Sequence, residues 1–190
     1  MNFTEAVAAV NLATKRPDKT ITAARKINAA ISFYVLDNEF SRDFEEQLVS
    51  IDAAEWTQAF ALSTLTRFRK FKYIKVAGTK KFLTVLPDSE LFKECTTRGR
   101  YYIAGSNVNL YMPVQAASLD VGYYQYPPVL TGTAVLNTHW MLDVAPYMIV
   151  DWAAAEIFKE LGDEKSFREH KVSARELYMA FRRDQGISTQ

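Results

Sequence analysis

Thr138-His-Trp-Met-Leu-Asp-Val-Ala-Pro-Tyr-Met-Ile-Val-Asp-Trp-Ala-Ala-Ala-Glu-Ile-Phe-Lys-Glu-Leu161 is the richest apolar stretch of this 190-residue chain. Its large side chains, among them Trp140, Tyr147, Val150, Trp152 and Phe158, fall all round a helical wheel rather than on one stripe. A helix apolar on every side must be covered on every side, by its own domain or by other subunits. Pro146 suits a first turn with Asp143 as cap, and Gly162 suits the C′ position. Asp163 then caps a last helix whose stripe is Phe167, His170/Lys171, Ala174, Leu177/Tyr178 and Phe181, ended by Gly186. Asp143, Asp151, Glu156 and Lys159 interrupt the apolar run, so a membrane span is not expected.

Outward from there, the N-terminal end is also helical. The pattern predicts a helix over about Thr4 to Ala13, with Thr4 as N-cap and Pro17 as its stop. A second runs from Asp18 or Thr20 to Asp37, with Ile21, Ala24, Ile27, Ile31 and Tyr34/Val35 on one face. The middle alternates instead. Gln47 to Ile51 and Arg69 to Ala77 read as strands, and Lys81 to Leu86 is a hairpin partner across Gly78 to Lys80. Pro87-Asp88 opens a short helix, Ser89 to Glu94. Tyr101 to Ala104 and Val108 to Met112 form a second hairpin through Gly105, and Leu119 to Tyr126 is one more strand. Asp52-x-x-Glu55 has capping-box form, so Asp52 to Leu65 reads either as helix or as a strand near Thr57 to Ala61, the latter preferred.

The expected fold is α+β: a helical bundle from the N- and C-terminal helices, about 1–46 and 138–186, with a β-rich insertion at about 47–130. The length suits one domain over 1–190. Hydrophobic residues are 48% of the chain and charged residues 24%, the balance of a soluble globular protein. Met1 to Ala6 lacks signal-peptide character, which leaves the Asn2-Phe3-Thr4 sequon without meaning. A single cysteine, Cys95, forms no intrachain disulfide and fits a reducing compartment.

With this order of elements, the chain resembles the head-to-tail connector (adaptor) proteins of tailed bacteriophages. The resemblance is carried by Tyr101, Tyr102 and Gly105 leading to Leu110 and Pro113, then Tyr123-Tyr124-x-x-Pro127-Pro128-x-Leu130-Thr131. Trp140 to Leu142, Ala145-Pro146, Ala153-Ala154-Ala155-Glu156 and a closing helix complete it, with a weaker match in the N-terminal helices. It implies a structural virion protein at the head-tail junction, made in the host cytoplasm. It further implies a ring of identical subunits, commonly twelve, between the portal and a tail or nozzle protein. Packaged double-stranded DNA would pass through the lumen, and the ring would be a platform for tail assembly. On that reading Trp140, Tyr147, Val150, Trp152 and Phe158 are the candidate oligomer interface. Arg182, Arg183, Asp184, Gln185 and Ile187 are, by analogy, the candidate portal-binding tail.

The net charge of +1 hides an asymmetry. Between Trp56 and Pro87 there is no acidic residue, while Arg67, Arg69, Lys70, Lys72, Lys75, Lys80 and Lys81 are basic. Of the 23 basic residues these seven leave 16, against 22 acidic ones elsewhere. Three readings stand. The lysines protect a solvated strand pair from edge-to-edge pairing. With Phe68, Phe71 and Tyr73 interleaved, the run contacts a polyanion such as channel DNA. Or it meets an acidic patch on a neighbouring tail protein. A small nucleic-acid-binding protein using this basic β-hairpin is the alternative function. Tyr124 and Tyr126 share one strand face and Tyr123 the other, one face for the core and one for a partner.

Catalytic patterns are not visible. His139 and His170 lack metal-ligand spacing, Cys95 lacks a paired base, and Gly99 to Gly105 lacks the lysine of a phosphate loop. Paired carboxylates such as Asp37/Glu39 and Glu156/Glu160 read as solvated faces and caps. Neither an enzyme nor a cofactor or metal is expected.

Overall fold

The structure is a computed structural model that describes residues 1–86 and 98–184. It divides into two compact units, one formed by Met1–Asn38 with the chain from Pro127 on, the other by Glu39–Tyr126.

In the first unit, α1 spans Phe3–Thr14 and its cap is Asn2, two residues before the expected Thr4. Asn2 accepts from the Glu5 amide, and the Glu5 carboxylate accepts from the Asn2 amide, each at 2.9 Å. Two otherwise orphaned donors are satisfied reciprocally. Thr4 turns instead to the Asn137 side chain, 3.1 Å from its hydroxyl. α2 spans Thr20–Leu36, α3 Trp140–Val144, α4 Pro146–Leu161 and α5 Glu164–Asp184. His139 caps α3 and α4 has no side-chain cap, so Asp143 does not hold the place expected of it. Gly162 ends α4 at φ 75°, a left-handed turn that costs glycine little. Asp163 accepts from the Ser166 amide and hydroxyl at the start of α5.

α4 is the centre of this unit. It packs against α1, α2, α3 and α5. Ala153, Ala154 and Ala155 are fully buried, small enough for helices to approach closely, and Met148, Ile149 and Ile157 fill the gaps between them. Most of the helix that is apolar all round is therefore covered within its own unit, with Tyr147 and Leu161 left exposed.

The second unit is one seven-stranded sheet. Its strands are β1 Phe44–Ser50, β2 Thr57–Ala61, β3 Phe68–Val76, β4 Phe82–Val85, β5 Arg100–Ala104, β6 Asn107–Tyr111 and β7 Ser118–Gln125. Their order is β1-β7-β3-β4-β5-β6-β2. All pairings are antiparallel except β4 with β5. The two expected hairpins, β3–β4 and β5–β6, are present, and Thr57–Ala61 is strand rather than helix. The expected short helix at Ser89 to Glu94 lies outside the described residues.

One expectation is corrected. The fold is α+β, but not a helical bundle interrupted by an insertion. The strands build a curled mixed sheet in the middle of the chain, flanked by helices at both ends. That sheet has its own core, in which Ile74, Val108, Leu110, Met112, Leu119, Val121 and Tyr123 are closed off from solvent. The reason is β7. It pairs with β1 along Phe44↔Tyr124 to Ser50↔Ser118 and with β3 on its other side, joining β1 to the β3–β4 hairpin, while the parallel β4–β5 pair brings in the β5–β6 hairpin.

Candidate interaction surfaces

Strict alternation along β3 would place Phe68 and Phe71 on opposite faces. A register irregularity between Phe68 and Lys70 resets the period, and another follows between Phe71 and Tyr73. Phe68 and Phe71 consequently both pack against the sheet core, 4.4 Å apart between ring centroids. Phe68 lies 6.0 Å from Tyr123, and Phe71 meets Tyr101 edge-on at 5.7 Å. These rings are packing residues rather than a platform of flat faces. Tyr73 lies over Gly122, where an added Cβ would sit 2.6 Å from the ring, and it contacts Phe44 and Phe82. Its hydroxyl donates to the Glu46 carboxylate. Burial first, then that carboxylate, push the phenol up to about 12.

The basic residues are brought together only in part. Lys70 reaches Glu39 at 2.6 Å, and this contact is the main reason the Glu39 carboxyl is held below its ordinary range. Arg69 and Lys72 lie over the Tyr124 ring, 5.4 and 6.0 Å from its centroid. Arg67 donates to Gln125. Lys75 pairs with Asp120 at 3.4 Å and lies over Tyr73. Lys80 and Lys81 are exposed at the β3–β4 turn. Of the tyrosines, Tyr123 is wholly in the core, Tyr124 is buried beneath the cations, and Tyr126 is exposed.

The candidate interface residues of the helical unit fare differently from one another. Val150 is buried in that unit. Trp140 lies 6.1 Å from Phe181 and 5.6 Å from His139. Trp152 stacks with Phe33 at 5.8 Å and carries Lys171 at 4.9 Å. Phe158 stacks on His170 at 5.4 Å. Tyr147 alone of the five is classed as exposed, at 64%.

Comparison with known families matches residues 1–189 to the family described as SU10 adaptor protein. The chain belongs to that family. It is thus a phage adaptor with a structural role, as the resemblance implied. No curated protein matches it.

Polar side chains of this adaptor tie its helices together. Asp151 accepts from the Ser173 hydroxyl at 2.6 Å and lies 2.9 Å from His170 Nδ1. The serine donates to the carboxylate and not to the imidazole, so this trio ties α5 to α4 without activating a nucleophile. Asp151 and Ser173 escaped the sequence reading because a lone Asp in an apolar helix looks like an interruption until its partners are placed. Among the described residues no cluster of His, Cys, Asp and Glu could hold a metal, and no helix is long and apolar enough to cross a membrane. Arg182 lies over Tyr178, and Arg183 Nε donates to the Met179 carbonyl. Both are on the last turn of α5 with Asp184. Gln185 and Ile187 lie outside the described residues, as does Cys95.

Proposed function

We propose that this adaptor works in the virion at the head-tail junction, as a ring of identical subunits seated between the portal and a tail or nozzle protein. The ring extends the DNA channel and presents a platform for the tail, and the chain acts throughout as one non-enzymatic connector domain. The match to an adaptor family along 1–189 carries this reading.

The helical unit supports a particular order of assembly. Since α4 packs on four other helices, the free subunit folds without a neighbour and persists as a monomer until the portal gathers copies, which then cover side chains still exposed on its helices, such as Tyr147 and Leu161. Tyr147, exposed at the start of α4, is the interface candidate in best position to meet a neighbour. Arg182, Arg183 and Asp184 lead into the tail assigned to the portal.

Negative-stain imaging of the protein alone and mixed with portal complexes tests the proposal. Isolated subunits in the first sample and centrally holed discs stacked on portals in the second are expected. Portals that remain bare at saturating protein would refute it. The alternative, a nucleic-acid-binding protein, is less favoured because Phe68 and Phe71 pack against the sheet core instead of presenting ring faces to bases. It predicts tight binding of free subunits to DNA that weakens steeply with salt in a gel-shift titration.

A further inference from the structure

β3 and β4 separate soon after they meet. β4 pairs with β3 at Ile74↔Leu83 and Lys75↔Phe82, then stays with β5 through Thr84↔Arg100 and Val85↔Tyr101. In the fork, between the Phe68 to Phe71 half of β3 and the β4–β5 pair, lies a cavity of about 420 Å³. Phe68, Phe71 and Tyr101 line it together with Val85 and Ile103. Arg69 and Lys70 contribute from β3.

We propose that this cavity receives a large apolar side chain from an acidic peptide segment of a partner protein, laid beside the first half of β3. The volume and the mostly apolar lining with a few polar groups are those of a recognition pocket. Val85 and Ile103 are 62% and 47% exposed, apolar surface left open around an apolar hollow. Apolar side chains gathered round a hollow, unlike ones scattered singly, offer a partner a place to bury its own apolar group. The charge of the partner follows from the strand itself. Arg69 and Lys72 lie over Tyr124, and Lys70 stands in register with it, on the face of β3 opposite Phe68 and Phe71, so a peptide laid beside the strand meets the cavity with one face and these cations with the other. Glu39 shows the contact that a partner's acid would imitate, with its carboxylate 2.6 Å from the Lys70 ammonium.

Duplex DNA fits the site poorly. Its phosphates gain nothing from an apolar hollow, and its bases, stacked within the duplex, cannot enter one. The inference goes beyond the ring, since it concerns a pocket within the sheet unit of each subunit.

Selection from a randomised displayed-peptide library tests it, using the full-length protein and the Val85→Glu and Ile103→Glu variants. Both positions are exposed, and unchanged melting curves establish that the variants fold. Enriched peptides are expected to set Phe, Trp or Leu beside Asp or Glu. Their affinity, read by fluorescence anisotropy, should fall about tenfold or more on each folded variant. Replacing the apolar residue of the peptide with Ser should cost as much, and hydrogen exchange should slow at Phe68 to Phe71 on binding. Absence of enrichment, enriched sequences without carboxylates, or affinities unchanged on both variants would each overturn the proposal. So would a winning peptide that duplex DNA displaces equally from wild type and variants. Should one variant fail to fold, the other variant and the Ser-substituted peptide decide the matter.

Discussion

In the helical unit, Trp152 is flanked by Phe33 and Lys171, Phe158 by His170 and Trp140 by Phe181. In the sheet unit, a less apolar stretch of sequence leaves Val85, Ile103 and Phe82 open to solvent. The segment that looks most in need of a partner is covered within the subunit over most of its length, Val144, Tyr147 and Leu161 excepted, while the segment that looks solvated holds an apolar cavity. Apolar content along a chain therefore says little about apolar surface. Four helices can close round one apolar helix, whereas a sheet whose strands diverge leaves a gap at the fork.

The comparison breaks most visibly if the core of α4 is truncated. Ile149→Ala should cost about 2–5 kcal/mol, because its cavity is walled by helices on several sides and cannot collapse. Val85→Ala, a truncation of similar chemistry on the open side of the sheet, should change stability by less than about 0.5 kcal/mol. Urea denaturation of both measures the contrast, and equal losses would show that the rim is not the open surface described.

Gly122→Ala should cost about 1–3 kcal/mol, since the new Cβ meets the Tyr73 ring at 2.6 Å and Phe44 at 3.0 Å. Tyr73→Ala in the same background should recover part of that loss, which a double-mutant cycle reads directly.

Most elements are legible in the residues themselves. α2, both hairpins and α4 with its Gly162 stop follow from periodicity, turn residues and proline, which act within a few residues, whereas β2 competes with a helix capped at Asp52. The cap of α1 lies two residues before the place the pattern suggests, because Thr4 and Asn2 are both good caps and only the reciprocal Glu5 contact decides between them. What cannot be read is pairing. β7 lies between β1 and β3, far away in sequence, and no local pattern announces it. The bulges of β3 are equally hidden, and they bring Phe68 and Phe71 to one side of a strand whose alternation says otherwise. The cavity depends on both, so its rim at Val85 and Ile103 is invisible in the sequence. Among the interface candidates, chemical type is legible and exposure is not. Val150 and Tyr147 are three residues apart on one helix, yet one is 5% and the other 64% exposed.

That last pair gives a sharper test of where a neighbouring subunit sits. Tyr147→Asp should leave stability within about 0.5 kcal/mol of wild type, as exposed substitutions do. If a neighbour covers this face, the same change should abolish disc formation on portals. Trp152→Asp should behave in the opposite order, lowering the melting temperature first, because it breaks the stack with Phe33 and the contact with Lys171. A Tyr147→Asp variant that still forms complete discs would move the interface elsewhere.

The smallest expected effect lies in the sheet unit, at the Glu39–Lys70 pair. Its partners are 41% and 64% exposed, so solvent screens the attraction and its worth is under about 1 kcal/mol. The sign is nevertheless fixed. Glu39 has its pKa lowered on folding, chiefly by the hydrogen bond from Lys70, against the opposing effect of burial. A lowered carboxylate stabilises the fold above its unfolded pKa and loses that contribution as pH falls through the folded one. Lys70→Met should therefore reduce stability slightly at neutral pH and not at all once the carboxylate is protonated. Comparing urea midpoints of wild type and variant from neutral to acid pH measures the difference. If Glu39 holds the place that a partner's carboxylate takes, Glu39→Gln should also tighten binding of acidic peptides at neutral pH while costing almost no stability, a gain that a purely structural ion pair would not give.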